Sequence, residues 1–301
     1  MSLMQYHIFI KIAETGSFTQ AAQQLHLTQS AVSHAIAHLE NQFEFPLLHR
    51  SRSGLLLTHE GERMLPIMQR VVRENEQVRQ EANAIRGLLT GEVHVGVFTS
   101  VSRHWLPKII HAMDQAYPSL VIKLYEGNYQ FIEECLINGK LDCGFVNQPE
   151  IASCQVIPLK KDRLFCVVSK ASELYSKETA DLTVLAREPF IMPAFGGNHE
   201  VKQYLNQFQL KPPIRFELME ENAILAMIAN DLGISILPEL VLPDDLSPLR
   251  ALPLKGNCYR TLGMAIRKPA SHPPQEHSST SLHGLLLKWG EEKTWLTRKS
   301  H

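Results

Sequence analysis

The fold is decided by Ser17-Phe18-Thr19-Gln20-Ala21-Ala22-Gln23-Gln24-Leu25-His26-Leu27-Thr28-Gln29-Ser30-Ala31-Val32-Ser33-His34-Ala35-Ile36-Ala37-His38-Leu39. Its first four residues have the Ser-x-x-Gln form of a capping box, in which the serine side chain satisfies an orphan amide at a helix start. The helix so opened, Thr19 to about Leu25, is small-faced at Ala21 and Ala22, so another helix can cross it closely. After His26-Leu27, Thr28 is a good N-cap for a longer helix running to about Phe43. Val32, Ile36, Leu39 and Phe43 follow the helical period and give one buried stripe. The other face carries Gln29, Ser30, Ser33, His34, His38 and Asn41, all able to hydrogen-bond and none acidic. Two helices joined by a tight turn, the second polar near its N-terminus, make the helix-turn-helix that fits a DNA major groove. Gln pairs bidentately with adenine, and Ser serves several bases. A merely solvated polar face is the alternative at this point.

The flanks shift that balance. Residues 3 to 15 read as a helix with Ile8/Ile12 and Phe9/Ala13 four apart, stopped by Gly16. On the other side, Leu47-Leu48-His49-Arg50 and Leu55-Leu56-Leu57-Thr58 flank Ser51-Arg52-Ser53-Gly54, the pattern of a β-hairpin with Gly54 as its left-handed residue. A hairpin tip bearing Arg50 and Arg52 beside a helix-turn-helix is a wing suited to phosphates or a minor groove.

Ala13-Glu14-Thr15-Gly16-Ser17-Phe18, Ala21-Ala22, Leu25, Thr28 to Ser33, Ile36, Leu39-Glu40, Arg50 and Leu57-Thr58 through Gly61 closely resemble the LysR-type transcriptional regulators. The match is dense over roughly sixty residues, far more specific than a bare helix-turn-helix. The resemblance implies a winged helix-turn-helix over residues 1–58, with the motif proper at 18–37. It implies groove contacts for Gln29, Ser30, Ser33 and His34, and wing contacts for Arg50, Arg52 and Ser53. Three positions depart from the family pattern. Glu44 stands where a glycine usually ends the third helix, Leu48 where Phe is common, and His34 where Arg is frequent.

From about His59 the chain reads as one long helix. Met64, Met68, Val71, Asn75, Val78, Ala82, Ile85 and Leu89 recur at spacings of four and three. Such a stripe packs on its own domain or on another helix. The resemblance implies the second: a dimerisation helix over 59–90 pairing antiparallel with its copy. Pro66 is expected to kink the helix or mark a late start. A two-fold dimer reads two half-sites, so the expected target is double-stranded DNA with an interrupted palindrome.

Gly91 opens a different regime. Val93–Phe98, a helix to Tyr117, Leu120–Tyr125, a helix to Asn138 and Cys143–Val146 form a βαβαβ series, hence a parallel sheet. A second block has strands at Leu164–Val168, Phe190–Met192, Ile214–Leu218 and Ile234–Leu237, with helices from about His199 and up to Asn230. A late strand near Tyr259–Arg267, the loop His272-Pro273-Pro274 and a helix ending near Trp289 return to the first block. The chain is thus α/β overall. Its last two-thirds, residues 91–301, resemble the family's two-lobed periplasmic-binding-protein-like effector domain, with lobe I over about 91–160 plus 268–301 and lobe II over about 161–267. Ligands of open α/β sheets bind outside the carboxyl ends of strands. That places Thr99, Ser100, Val101, Ser102, Asn128, Asn147, Phe195 and Gly196 around an inter-lobe pocket for a small polar or anionic effector. Capping and turn chemistry is the competing role for each of these residue types.

Composition sets the outer limits. The chain has 301 residues, 44% hydrophobic, enough for about two domains. No apolar run approaches the ~18 residues of a membrane helix, and no basic n-region precedes an apolar stretch, so a cytoplasmic, membrane-free protein is expected. Five cysteines without a CxxC pair read as reduced, mostly buried thiols; a cysteine-based redox sensor is the alternative within the regulator class. No GxSxG, Walker A, GxGxxG or HExxH pattern occurs, so an enzyme is not expected, nor is a metal or cofactor beyond a small co-inducer. A cytoplasmic solute-binding module would suit the lobes but not the winged helix. Partners implied by the resemblance are DNA, the effector, a second copy as dimer and dimer of dimers, and RNA polymerase.

Lys+Arg number 30 against Asp+Glu 31, a near-neutral total that says nothing of where charges sit. Residues 1–60 hold Lys11, Arg50 and Arg52 against Glu14, Glu40, Glu44 and Glu60, together with His7, His26, His34, His38, His49 and His59. Attraction to DNA is therefore expected to rest on the wing, helix amides and histidines, and to strengthen as pH falls from about 8 to about 6.

Overall fold

The computed structural model describes residues 1–51, 54–86, 90–147, 150–194, 199–256 and 258–268. Helix α1 (Leu3–Thr15) starts at a full capping box. Ser2 Oγ accepts from Gln5 N, and Gln5 Oε1 accepts from Ser2 N. Gly16 ends it in the left-handed region at φ 64°, where a side chain is strained. Helix α2 (Phe18–Gln24) keeps only half of its expected box: Ser17 Oγ accepts from Gln20 N, but Thr15 Oγ1 takes the Ser17 N–H. Thr28 caps α3 (Gln29–Phe43), whose Val32, Ile36 and Leu39 join Ile8, Phe9, Ile12, Ala21 and Ala22 in one core.

Strands β1 (Leu48–Ser51) and β2 (Gly54–Leu57) pair in antiparallel register, Ser51 opposite Gly54. The hairpin is fixed at its base. Glu40 Oε1, on α3, accepts from both Leu47 N and Leu48 N, and Thr58 Oγ1 donates to Pro46 O. Helix α4 (His59–Ile85) follows at once, with Thr58 Oγ1 accepting from Gly61 N. A Cβ at Gly61 would lie 2.1 Å from the Leu47 carbonyl oxygen, so only glycine lets α4 approach the hairpin this closely. The late start expected from Pro66 is not found: α4 begins at His59 and runs through the proline.

Lobe I is a sheet on helices. Parallel β3 (Gly91–Val97), β4 (Leu120–Glu126) and β5 (Cys143–Val146) lie in the order β4-β3-β5. Helices α5 (Thr99–His104), α6 (Leu106–Ala116) and α7 (Tyr129–Ile137) make the crossovers. Strand β6 (Cys154–Val168) then runs fifteen residues from one lobe to the other. Lobe II adds α8 (Leu182–Leu185), β7 (Phe190–Pro193), α9 (His199–Gln207), β8 (Ile214–Leu218), α10 (Glu221–Ala229), β9 (Ser235–Pro238) and β10 (Arg250–Pro253). Strands β7 and β8 are parallel, whereas β9 and β10 pair antiparallel with β6. Strand β11 (Tyr259–Arg267) returns the chain, antiparallel to both β6 and β5. Two crossing strands thus join two lobes, each with its own core. No helix among the described residues is long and apolar enough to cross a membrane.

The expected strand at Leu164–Val168 is therefore the last third of a longer one, and β10 was not expected at all. Of the expected site residues, Arg52, Ser53, Phe195 and Gly196 lie outside the described residues, as do Leu89, the 272–274 loop and the helix near Trp289.

Candidate functional site

On α3, Gln29, Ser30, His34 and His38 are exposed and Ser33 is half-buried, while the opposite stripe is sealed in the core. The polar side chains are already linked to one another. Gln29 Nε2 donates to Ser33 Oγ at 3.0 Å, and the Thr28 and Ser30 hydroxyls lie 3.1 Å apart. His38 is tied to α1, its Nδ1 accepting from Gln5 Nε2 at 2.8 Å. The first turns of α3 thus present ordered amide and hydroxyl groups, as a base-reading helix requires. Arg50 lies on β1 of the adjoining hairpin. Burial pulls the His7 imidazole down, with the Arg79 charge adding to this, so His7 takes up a proton less readily than an open histidine.

Between the lobes lies a cavity of about 260 Å³. Lobe I contributes Phe98 and Thr99 after β3, and the β4–α7 loop with Glu126, Asn128 and Tyr129. Lobe II contributes Met219, Glu220 and Glu221 at the start of α10. Thr99 and Asn128 therefore stand where the sequence put them. Asn128 has a second task, its Oδ1 accepting from Phe131 N as the cap of α7. Asn147 reaches across from lobe I, its Nδ2 donating to Glu200 Oε1 on α9 at 2.8 Å.

Ser100 and Val101 do not line this cavity. Val101 is fully buried in the lobe I core. Ser100 is 1% exposed, and its Oγ accepts from Arg260 Nη2 at 3.1 Å. Helix α5 turns these two side chains inward while Thr99 stays at the surface. Ser102 is half-buried, its Oγ without a partner.

Behind the cavity sits an ion pair that the sequence did not reveal. Arg260 of β11 and Asp162 of β6 are register partners, joined at 2.8 Å with side-chain exposures of 2% and 0%. Asp162 Oδ1 also accepts from Leu240 N, and Arg260 Nη1 donates to the Tyr129 hydroxyl at 2.5 Å. Burial pushes Glu221 up to about 7, despite the opposing pull of Arg260. It pushes Tyr129 upward too.

Residues 3–62 match the family model described as bacterial regulatory helix-turn-helix protein, lysR family, and residues 86–278 match the LysR substrate binding domain. This chain belongs to the LysR family. An uncharacterized HTH-type transcriptional regulator of Bacillus subtilis, YvbU, is 35% identical over 241 residues, 80% of this chain and 82% of its own. YeiE of Escherichia coli, likewise an HTH-type transcriptional regulator, is 31% identical over 298 residues, 95% of this chain and 96% of its own. A full-length OxyR variant of Pseudomonas aeruginosa shares the fold, with a TM-score of 0.72 at 19% identity over 97% of this chain and 94% of that one. So does full-length CbnR in complex with target DNA, at 0.70 and 20% identity over 98% and 100% of the two chains. The chain is a LysR-type DNA-binding transcription regulator.

For a LysR protein, the thiols here are quiet. All five cysteines are free, and burial pushes every one upward, Cys154 and Cys258 to about 11. Thiolate is the form that oxidants attack, so this is the reverse of a poised sensor cysteine. Among the described residues no group of His, Cys, Asp and Glu could hold a metal ion.

Proposed function

We propose that this LysR regulator reads an interrupted palindrome as a dimer, with Gln29, Ser30, Ser33 and His34 of α3 in successive major grooves and the hairpin of Arg50, Arg52 and Ser53 on the flanking backbone. The observation that carries this is the ordered, non-acidic polar face of α3 standing exposed beside the hairpin. Pairing would run through α4, on which Val71, Val78 and Ile85 are exposed. A small polar effector would occupy the inter-lobe cleft at Thr99 and Asn128. It would alter the angle between lobes, and so the spacing of half-sites and the bend of the DNA.

Genomic fragments selected by the purified protein should share a two-fold sequence. Gln29→Ala with Ser33→Ala should cost ~1–3 kcal/mol of discrimination while leaving weak, salt-sensitive binding intact. Fragments with no common sequence, or a double variant that selects the same ones, would remove α3 from the reading role.

A further inference from the structure

Helices α1 and α3 meet through a side-chain bridge to which no role has yet been given. Gln5 of α1 and His38 of α3 are joined at 2.8 Å, Nε2 to Nδ1. The bridge stands at the surface, His38 being exposed and Gln5 half-buried. It is not what holds the two helices together. Ile8, Phe9 and Ile12 already pack against Val32, Ile36 and Leu39 beneath it.

What the bridge does fix is the imidazole. The Gln5 amide is oriented from its other end, because Gln5 Oε1 accepts from Ser2 N at 2.8 Å in the capping box. Its NH2 group therefore faces His38, and His38 Nδ1 must accept. A neutral ring that accepts at Nδ1 carries its proton on Nε2. A proton added at Nδ1 would set one N–H against another and break the bridge. His38 thus holds out an uncharged Nε2–H donor, on a ring kept in one orientation.

Its position on α3 indicates what that donor meets. Ser30, His34 and His38 are exposed and four residues apart, so they form one line along the helix. His38 stands about 12 Å along the axis from Ser30, and a major groove is about 12 Å wide. With the first turn of α3 at base edges, His38 reaches the rim of the groove, where phosphate oxygens lie. We infer that His38 donates from Nε2 to a DNA phosphate as a neutral group, aimed by Gln5. Such a contact sets how α3 sits on the duplex and reads no base. This rests on the reading of α3 as the groove helix.

Binding of the full chain at pH 7 tests it, on a genomic fragment that the protein selects and on a random-sequence duplex. His38→Ala should weaken binding to both by about five- to tenfold, the loss of one hydrogen bond to a charged acceptor. The slope of log affinity against log salt should stay as it was, because a neutral donor displaces no counterion. Gln5→Met should weaken both by a smaller factor. Combined with His38→Ala it should cost nothing further, since Gln5 acts through the ring. Melting curves establish that each variant is folded. If His38→Ala binds as tightly as the parent chain while Gln29→Ala with Ser33→Ala loses selection, α3 stays in the groove and the His38 contact is overturned. If that double variant selects the same fragments, the groove reading fails and the inference falls with it. A loss confined to the selected fragment would make His38 a base contact and overturn the phosphate. A slope that falls by about one would make it a cation and overturn the neutral donor. Additive losses at Gln5 and His38 would overturn the aiming role of Gln5.

Discussion

At the scale of single residues, Glu44 and Asp162 carry the clearest consequences. Glu44 ends α3 at φ 62°, ψ 21°, a conformation that L side chains adopt at a cost of about 1 kcal/mol. Its misfit was visible from the sequence, because the resemblance places a glycine there and the helical stripe ends at Phe43. Glu44→Gly should stabilise the winged domain by ~0.5–1 kcal/mol, part of the relief being offset by the greater freedom of glycine in the unfolded chain. The α3 amides should then exchange with deuterium about two- to fivefold more slowly. Unchanged or faster exchange would mean that Glu44 is not strained. Asp162, by contrast, sits in Lys160-Lys161-Asp162-Arg163, a charge run just ahead of the strand expected at Leu164–Val168. Only the cross-strand register with Arg260 turns it into a buried ion pair, and no local pattern encodes register. Asp162→Ala should destabilise the effector domain by ~3–5 kcal/mol by leaving Arg260 charged and buried. In denaturant titrations, Asp162→Ala with Arg260→Met should cost less than the sum of the two single variants. Strict additivity would show the pair to be uncoupled.

At the scale of elements, periodicity succeeded where one face is buried and one is wet. Helices α1, α3 and α10 were within reach of such patterns, while strands β3 to β5 were legible as short apolar runs, β5 being buried throughout. It failed on the first two-thirds of β6, which crosses between lobes carrying Pro158 and four consecutive charged residues, and has no single apolar face. The linker helix shows a mixed outcome. The stripe read as one seam divides into two. Met68 is buried, and Met64 half-buried, against the winged domain, whereas Val71, Val78 and Ile85 remain 41%, 68% and 79% exposed. The polar side of α4 is held by lobe I instead, through Arg73 to Asp142 at 2.6 Å and Glu74 to Arg267. The reading of a stripe packed on its own domain therefore holds for the turns of Met64 and Met68, and the later turns are left exposed. Val78→Glu with Ile85→Glu should leave the winged domain folded and the chain monomeric by sedimentation at micromolar concentration. Affinity for a two-half-site operator should fall on the order of a hundredfold or more, because the second half-site is no longer tethered. A stable dimer of the double variant would assign pairing to another surface.

At the scale of the whole molecule, the near-neutral total conceals a segregated charge. The winged domain offers a few cations beside histidines, while the cleft between lobes gathers carboxylates from both. The cleft was legible only in part. Thr99 and Asn128 follow strand ends and could be placed by topology, but Glu126 and Glu221 line one cavity only because two crossing strands join the lobes. The Glu221 carboxyl is raised to about 7 by burial, so the folded chain holds a proton there that the unfolded chain has already released above about pH 4.5. Between those two values the native state binds more protons than the unfolded state, and stability must fall as pH rises. Above about 7 the carboxylate is ionised in both states and the penalty is present in full. Glu221→Gln removes the ionisation without removing the side-chain volume. Its melting temperature should exceed that of the parent chain at pH 8, and the difference should shrink steadily toward pH 5. A difference of equal size at both pH values would arise from packing alone. Since opening the cleft would rehydrate the carboxylate, the same group should make the closed arrangement less favourable as pH rises through 7.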